Sequence, residues 1–156
     1  MSTNKFNLFL ENARFLSDKF DIVPLLYGSL GLECLTGDAL GADDIDILVP
    51  RVFITDRWHE FKTLLEAQGY VLLYVHEHTF VRDGVAYSYA DIEDLEPFAG
   101  INTETIEMHE VDGVRFMLLS LEQYLAVYRQ SSKDGYRVNV RQKKDVDKIR
   151  FIESKL

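Results

Sequence analysis

Asp43-Asp44-Ile45-Asp46-Ile47-Leu48-Val49 alternates acid with aliphatic, and Leu25-Leu26-Tyr27-Gly28-Ser29 ahead of it ends an apolar run in a glycine corner. Alternation of this kind has the period of a strand, whose successive side chains leave on opposite faces. Asp44 and Asp46 then share one face, while Ile45, Ile47 and Val49 point into a core. Two carboxylates side by side on an otherwise apolar strand are costly unless a cation neutralises them. Mg²⁺ is the simplest answer, because it takes carboxylate oxygens together with substrate phosphates. The plainer alternative is an exposed edge strand with solvated acids.

The Gly28-Ser29 corner lets the backbone approach a ligand closely, since glycine has no Cβ. Amides at such a corner, followed by a helix start, can take phosphate oxygens, and Ser29 adds a hydroxyl. Ordinary turn chemistry gives the same dipeptide, so the corner gains meaning only beside the acids. A further acid stands where a β-rich run ends, in Val85-Ala86-Tyr87-Ser88-Tyr89-Ala90-Asp91-Ile92-Glu93. Asp91 and Glu93 share a face by alternation, and either is a candidate third carboxylate.

The surrounding pattern predicts a mixed α/β (α+β) domain. Phe6, Phe9, Leu10, Ala13 and Leu16 recur at helical spacing. Ile22 to Tyr27 reads as a strand, and Leu30 to Leu35 as a short helix stopped by Gly37. Asp44 to Val49 is a strand closed by Pro50. Ile54, Trp58, Phe61, Leu64 and Leu65 form one helical stripe, with Thr55 expected to cap it and Gly69 to lie past its end. Tyr70 to Val75 is another strand. Asp83-Gly84 and Asp112-Gly113 mark two hairpins. Ser120 and Gln123 form a capping box ahead of Leu121, Tyr124, Leu125 and Tyr128. A last helix carries Val146, Ile149, Ile152 and Leu156. No repeat or Pro/Gly/Ser linker interrupts the chain, so residues 1–156 are expected to form a single domain with a helical C-terminal segment at 120–156.

The 156 residues are 47% hydrophobic, enough for one core. No apolar run is long enough to span a membrane, and the start lacks the basic region, apolar block and cleavage site of a signal peptide. A cytoplasmic chain is expected. Cys34 is the single cysteine, which precludes an intramolecular disulfide and suits a small buried apolar position. The net charge of −9 argues against nucleic acid as a partner. Charge is uneven, however. Residues 129–150 carry eight Lys or Arg and three Asp, a local +5 that leaves −14 for the remainder. That segment is either an anion site or a solvated helix face, and Lys133, Arg137 and Arg141 follow one another at helical spacing within it. His76 and His78 share a strand face by the same reading, with no third metal ligand at a known spacing. Tyr87, Tyr89 and Phe98 suit core packing, or stacking on a ligand ring.

Taken together, Tyr27-Gly28-Ser29, then Asp44-Ile45-Asp46, then a later strand-borne Asp resemble the motif of the polymerase-β-type nucleotidyltransferase superfamily. The likeness is to its small antibiotic (lincosamide-type) and abortive-infection-type members. It covers residues 22–95 well, and Lys143-Lys144-Asp145-Val146-Asp147-Lys148-Ile149 loosely resembles the closing helix of such proteins. The resemblance selects Asp91 over Glu93, because an apolar residue, Ile92, follows it. It implies a nucleotidyltransferase fold with a mixed sheet flanked by helices. It also implies Mg²⁺ on Asp44, Asp46 and Asp91 as the catalytic and metal-binding set, in a two-ion arrangement with Asp91 as the acceptor-side base. Gly28 and Ser29 would then hold a nucleoside triphosphate such as ATP.

Some features depart from that motif. Fourteen residues separate Ser29 from Asp44, Gly41-Ala42-Asp43 precedes the pair, and no Lys or Arg lies between Asp21 and Pro50. Charge for the phosphates must come from metal and from elsewhere, with Arg137, Arg141, Lys143 and Lys144 the candidates. Transfer of a nucleoside monophosphate to a hydroxyl of a small molecule is the leading expectation. A toxin–antitoxin type enzyme acting on RNA or protein, and a non-catalytic nucleotide- or protein-binding module, are the alternatives. The acceptor would lie between the sheet and the last two helices or in a homodimer interface.

Overall fold

The computed structural model describes the backbone of residues 2–133 and 140–156, and the side chains of residues 5–133 and 145–156. Two compact units emerge: Met1–Glu93 with Glu107–Leu118, and Asp94–Ile106 with Leu119–Leu156.

The first unit holds a seven-stranded mixed sheet. Its strands are β1 (Leu25–Tyr27), β2 (Ile45–Val49), β3 (Val71–Tyr74), β4 (Thr79–Arg82), β5 (Val85–Asp91), β6 (Glu107–Val111) and β7 (Val114–Leu118). Their spatial order is β3-β4-β5-β2-β1-β7-β6. β2 lies between β1, antiparallel to it, and β5, parallel to it. Helices α1 (Ser2–Phe20), α2 (Gly28–Thr36) and α3 (Trp58–Ala67) complete the unit.

Alternation assigns the two faces of the sheet. Leu26, Ile45, Ile47, Val49, Phe80, Tyr87, Tyr89 and Phe116 enter the core with Phe9, Ala13, Leu16 and Phe20 of α1 and with Phe61 and Leu65 of α3. Phe61 meets Tyr89 edge-on at 5.2 Å, and Phe9 meets Phe116 at 5.5 Å. Each such buried ring stabilises the fold by about 1.5–3 kcal/mol. Asn12 of α1 donates its Nδ2 to Tyr89 Oη at 2.7 Å, which ties the helix to the middle of β5. The alternate residues of β2 and β5, namely Asp46, Leu48, Ser88 and Ala90, leave on the opposite face.

Both Asp-Gly hairpins form. Asp83 and Gly84 take φ of 52° and 76°, and Asp112 and Gly113 take 52° and 78°, the paired left-handed conformation of a two-residue hairpin turn. The expected strand at Ile22 to Tyr27 shortens to β1. The expected short helix begins earlier, at Gly28, and ends where foreseen, with Gly37 at φ 79° donating to Glu33 O at 2.8 Å. Thr55 does not cap α3. It follows a 3-10 turn, Arg51–Ile54, and its hydroxyl donates to Arg51 O at 2.9 Å, while Arg57 stands at the helix start.

The second unit is helical: α4 (Leu95–Ala99), a 3-10 turn at Thr103–Thr105, α5 (Leu121–Ser132) and α6 (Val140–Lys155). The capping box of α5 is complete, with Ser120 Oγ accepting from Gln123 N at 3.1 Å and Gln123 Oε1 from Ser120 N at 2.9 Å. Ser131 donates to buried Asp145 at 2.7 Å, and Arg129 pairs with Glu153 at 3.0 Å, linking α5 to α6. No helix among the described residues is long and apolar enough to cross a membrane.

Candidate functional site

β1 runs into α2 through Gly28, whose φ is +65°. That conformation is open to glycine and strained for other residues. A second constraint acts on the same atom. A Cβ at Gly28 would lie 2.4 Å from Asp46 Oδ2, so the carboxylate sits directly against the glycine backbone. Tyr27 and Asp46 are register partners across β1 and β2, which is how the pairing brings corner and carboxylate together. α2 begins here with no side-chain cap and no acidic residue in its first turn. Its N-terminal amides and the positive end of its dipole therefore favour an anion, and Ser29 is half-buried in that first turn.

Asp44 lies one residue before β2 and is exposed; Asp46, inside β2, is half-buried. Ile45, Ile47 and Val49 are fully buried, so alternation carries Asp46 to the face opposite the core, with exposed Asp44 two residues ahead of it. The connection that delivers them is anchored by Glu33, a residue missed by the sequence reading. Glu33 is 5% exposed, and its Oε2 accepts from Leu40 N at 2.7 Å and Ala42 N at 3.0 Å. A lone acid within the apolar run Leu30-Gly31-Leu32-Glu33 was the available signal, because a buried carboxylate must have donors to satisfy it.

Asp91 is not brought to this pair. It is the register partner of Val49 and lies on the face of Tyr87 and Tyr89. Its carboxylate is bound by Arg51 Nε and accepts from Glu93 N at 2.8 Å. Glu93 in turn accepts from Arg51 N at 3.2 Å, so both candidate third acids serve to fix the chain after β2. Among the described residues no group of three His, Cys, Asp or Glu is placed to hold one metal ion. Asp44 and Asp46 suit a single hard cation completed by phosphate oxygens and water. The expected three-carboxylate, two-ion arrangement does not fit.

Arg137 lies outside the described residues, as do the side chains of Arg141, Lys143 and Lys144. His76 and His78 fall in the turn between β3 and β4 rather than on a strand, and His78 packs edge-on against Trp58 at 4.7 Å. Tyr87 and Tyr89 belong to the core, whereas Phe98 is exposed. Cys34 is exposed on α2, contrary to the buried position expected of it.

Against known proteins, the chain is 38% identical over 147 residues to the "Uncharacterized protein YnaI" of Bacillus subtilis (strain 168), covering 94% of each chain. No family model matches it. Among solved structures it resembles an antigenic nucleotidyltransferase-like protein from Paracoccidioides brasiliensis, with a TM-score of 0.59 and 18% identity over 94% of this chain and 73% of the other. It also resembles ANT(2")-Ia in complex with adenylyl-2"-tobramycin, with a TM-score of 0.60 and 12% identity over 99% of this chain and 90% of the other. The fold is that of the nucleotidyltransferases.

Proposed function

The chain belongs to the family of B. subtilis YnaI, and from its fold and the arrangement of Gly28, Asp44 and Asp46 we propose that it is a Mg²⁺-dependent nucleotidyltransferase. It would move a nucleoside monophosphate from a nucleoside triphosphate to a hydroxyl acceptor, with release of pyrophosphate. The observation that carries this reading is the seating of Asp46 against Gly28, at the start of α2. A carboxylate pair and an anion-binding corner adjoin there, as a metal–triphosphate complex requires.

Asp44 and Asp46 would hold the ion. Gly28 and Ser29 would hold the triphosphate through backbone amides and the Ser29 hydroxyl. Arg137, Arg141 and Lys144 are assigned to further phosphate charge from the basic segment. When bound, Mg²⁺ would neutralise phosphate charge and orient the leaving pyrophosphate. The acceptor hydroxyl oxygen would attack the α-phosphorus and release its proton to solvent, while the bond from the α-phosphorus to the oxygen it shares with the β-phosphorus breaks and pyrophosphate leaves. We take the acceptor to be a small hydroxylated molecule, since a chain of net charge −9 repels polyanions and attracts cations. The aminoglycoside product in the ANT(2")-Ia structure is of that chemical kind. Residues 1–156 would act as one nucleotidyltransferase-like domain.

A second reading, a nucleotide-binding module without transfer, is favoured by one observation: Asp91 faces away from the pair. The two readings separate in one assay. The chain is incubated with Mg²⁺, each of the four triphosphates and a panel of hydroxylated small molecules. Pyrophosphate release, with a nucleotidylated product seen by mass spectrometry, supports transfer. Metal-dependent nucleotide binding with no release for any combination supports the module.

A further inference from the structure

We infer that Asp44 and Asp46 form a one-ion site, and that Ser88, beside Asp46 on the neighbouring strand, is the residue that limits it to one. The inference rests on the metal-binding reading above and deepens it. Within the sheet, the places for a further ligand to an ion on Asp46 are on the flanking strands, on the same face and at the same height. Those positions are Tyr27 on β1 and Ser88 on β5, the register partners of Asp46. The next residues of β5 on that face are Ala86 and Ala90, and none of the four is acidic. One strand further out, Thr79 Oγ1 lies 2.8 Å from Ser88 Oγ, so a pair of neutral hydroxyls occupies the place beside the acid.

Asp91 cannot substitute for Ser88. It is three residues further along β5, about 10 Å away, and on the other face. A one-residue slip of β5 would turn it over, but the same slip would expel Tyr87 and Tyr89, each 1% exposed, from the core. The buried tyrosines therefore fix the phase that puts Ser88, and not an acid, beside Asp46. Two carboxylates neutralise one divalent ion. A second ion close by would meet the charge of the first with only hydroxyls to offset it.

The test is a count of Mn²⁺ bound to the full chain, followed by electron paramagnetic resonance, with circular dichroism to verify folding. One ion is expected on the wild type, none on Asp46→Asn, one on Asp91→Asn and two on Ser88→Asp. Mn²⁺ should also raise the melting temperature of Ser88→Asp more than that of the wild type, because the added carboxylate repels Asp46 until an ion binds. Ser88→Glu replaces Ser88→Asp if that variant does not fold. Two ions on the wild type with one lost in Asp91→Asn overturns the inference while leaving metal binding intact. A folded Ser88→Asp and Ser88→Glu that both stay at one ion overturn it too. No ion on the wild type overturns the metal-binding reading itself, and this inference with it.

Discussion

Gly28 is constrained twice, by a left-handed φ of +65° and by the Asp46 carboxylate 2.4 Å from where a Cβ would stand. Gly84 supplies a comparison. Its φ is +76°, yet nothing lies within 4 Å of its would-be Cβ. Alanine at either position carries the left-handed strain of about 1–3 kcal/mol. Only Gly28→Ala also displaces Asp46. Urea unfolding should show both variants destabilised, whereas Mg²⁺-dependent nucleotide affinity should fall in Gly28→Ala and hold in Gly84→Ala. His78 makes a pH-dependent contribution of its own. Burial lowers its pKa, opposed by the Glu77 charge and reinforced by His76. The folded state thus prefers the neutral ring, whereas the unfolded chain takes the proton near the ordinary value of about 6.5. Stability from this group is present above that value and is lost as pH falls through it toward the folded pKa. His78→Asn, which tolerates the φ of 50° at this position, should lose less melting temperature between pH 7 and pH 5 than the wild type.

Single elements account for what was legible in advance. The strand Ile45–Val49, both Asp-Gly hairpins and the Ser120–Gln123 capping box were readable because each depends on neighbours within a few residues. The side of β5 on which Asp91 lies depended on parity and on a distant core. In Tyr87-Ser88-Tyr89-Ala90-Asp91 the large aromatics alternate with small residues, and the aromatics are the buried set. Asp91 has their parity, so that pattern already contained the answer. A motif that counts only an acid at a strand's end does not register it. The start of α3 was misplaced because Thr55 satisfies its hydroxyl within the preceding 3-10 turn, at Arg51 O. The connection before β2 is testable as an element. Glu33→Ala removes the acceptor for two amides, and hydrogen bonds to a charged acceptor contribute about 1.5–3 kcal/mol each. The connection should loosen, with lower stability and weaker Mg²⁺-dependent nucleotide binding. Glu33→Gln keeps an acceptor oxygen and should recover most of the binding. Equal binding by wild type and Glu33→Ala would show that Glu33 does not position Asp44.

At the scale of the molecule, a seven-stranded mixed sheet brings one end of β1, the start of α2 and the acidic side of β2 to one place. The sheet's other face is committed to the core through α1 and α3. This division explains why the carboxylate pair tolerates its position and why Asp91 is held apart from it by Arg51. The measurement that bears most directly on the metal–nucleotide site is calorimetric binding of ATP, GTP, CTP and UTP, with and without Mg²⁺, to the wild type and to the Asp44→Asn/Asp46→Asn double variant. Binding of at least one nucleotide that requires Mg²⁺ and weakens roughly tenfold or more in the double variant, a loss of about 1.4 kcal/mol, is the expected result. Nucleotide binding that is the same in both proteins, or absent for all four nucleotides, would contradict a site built on Asp44 and Asp46.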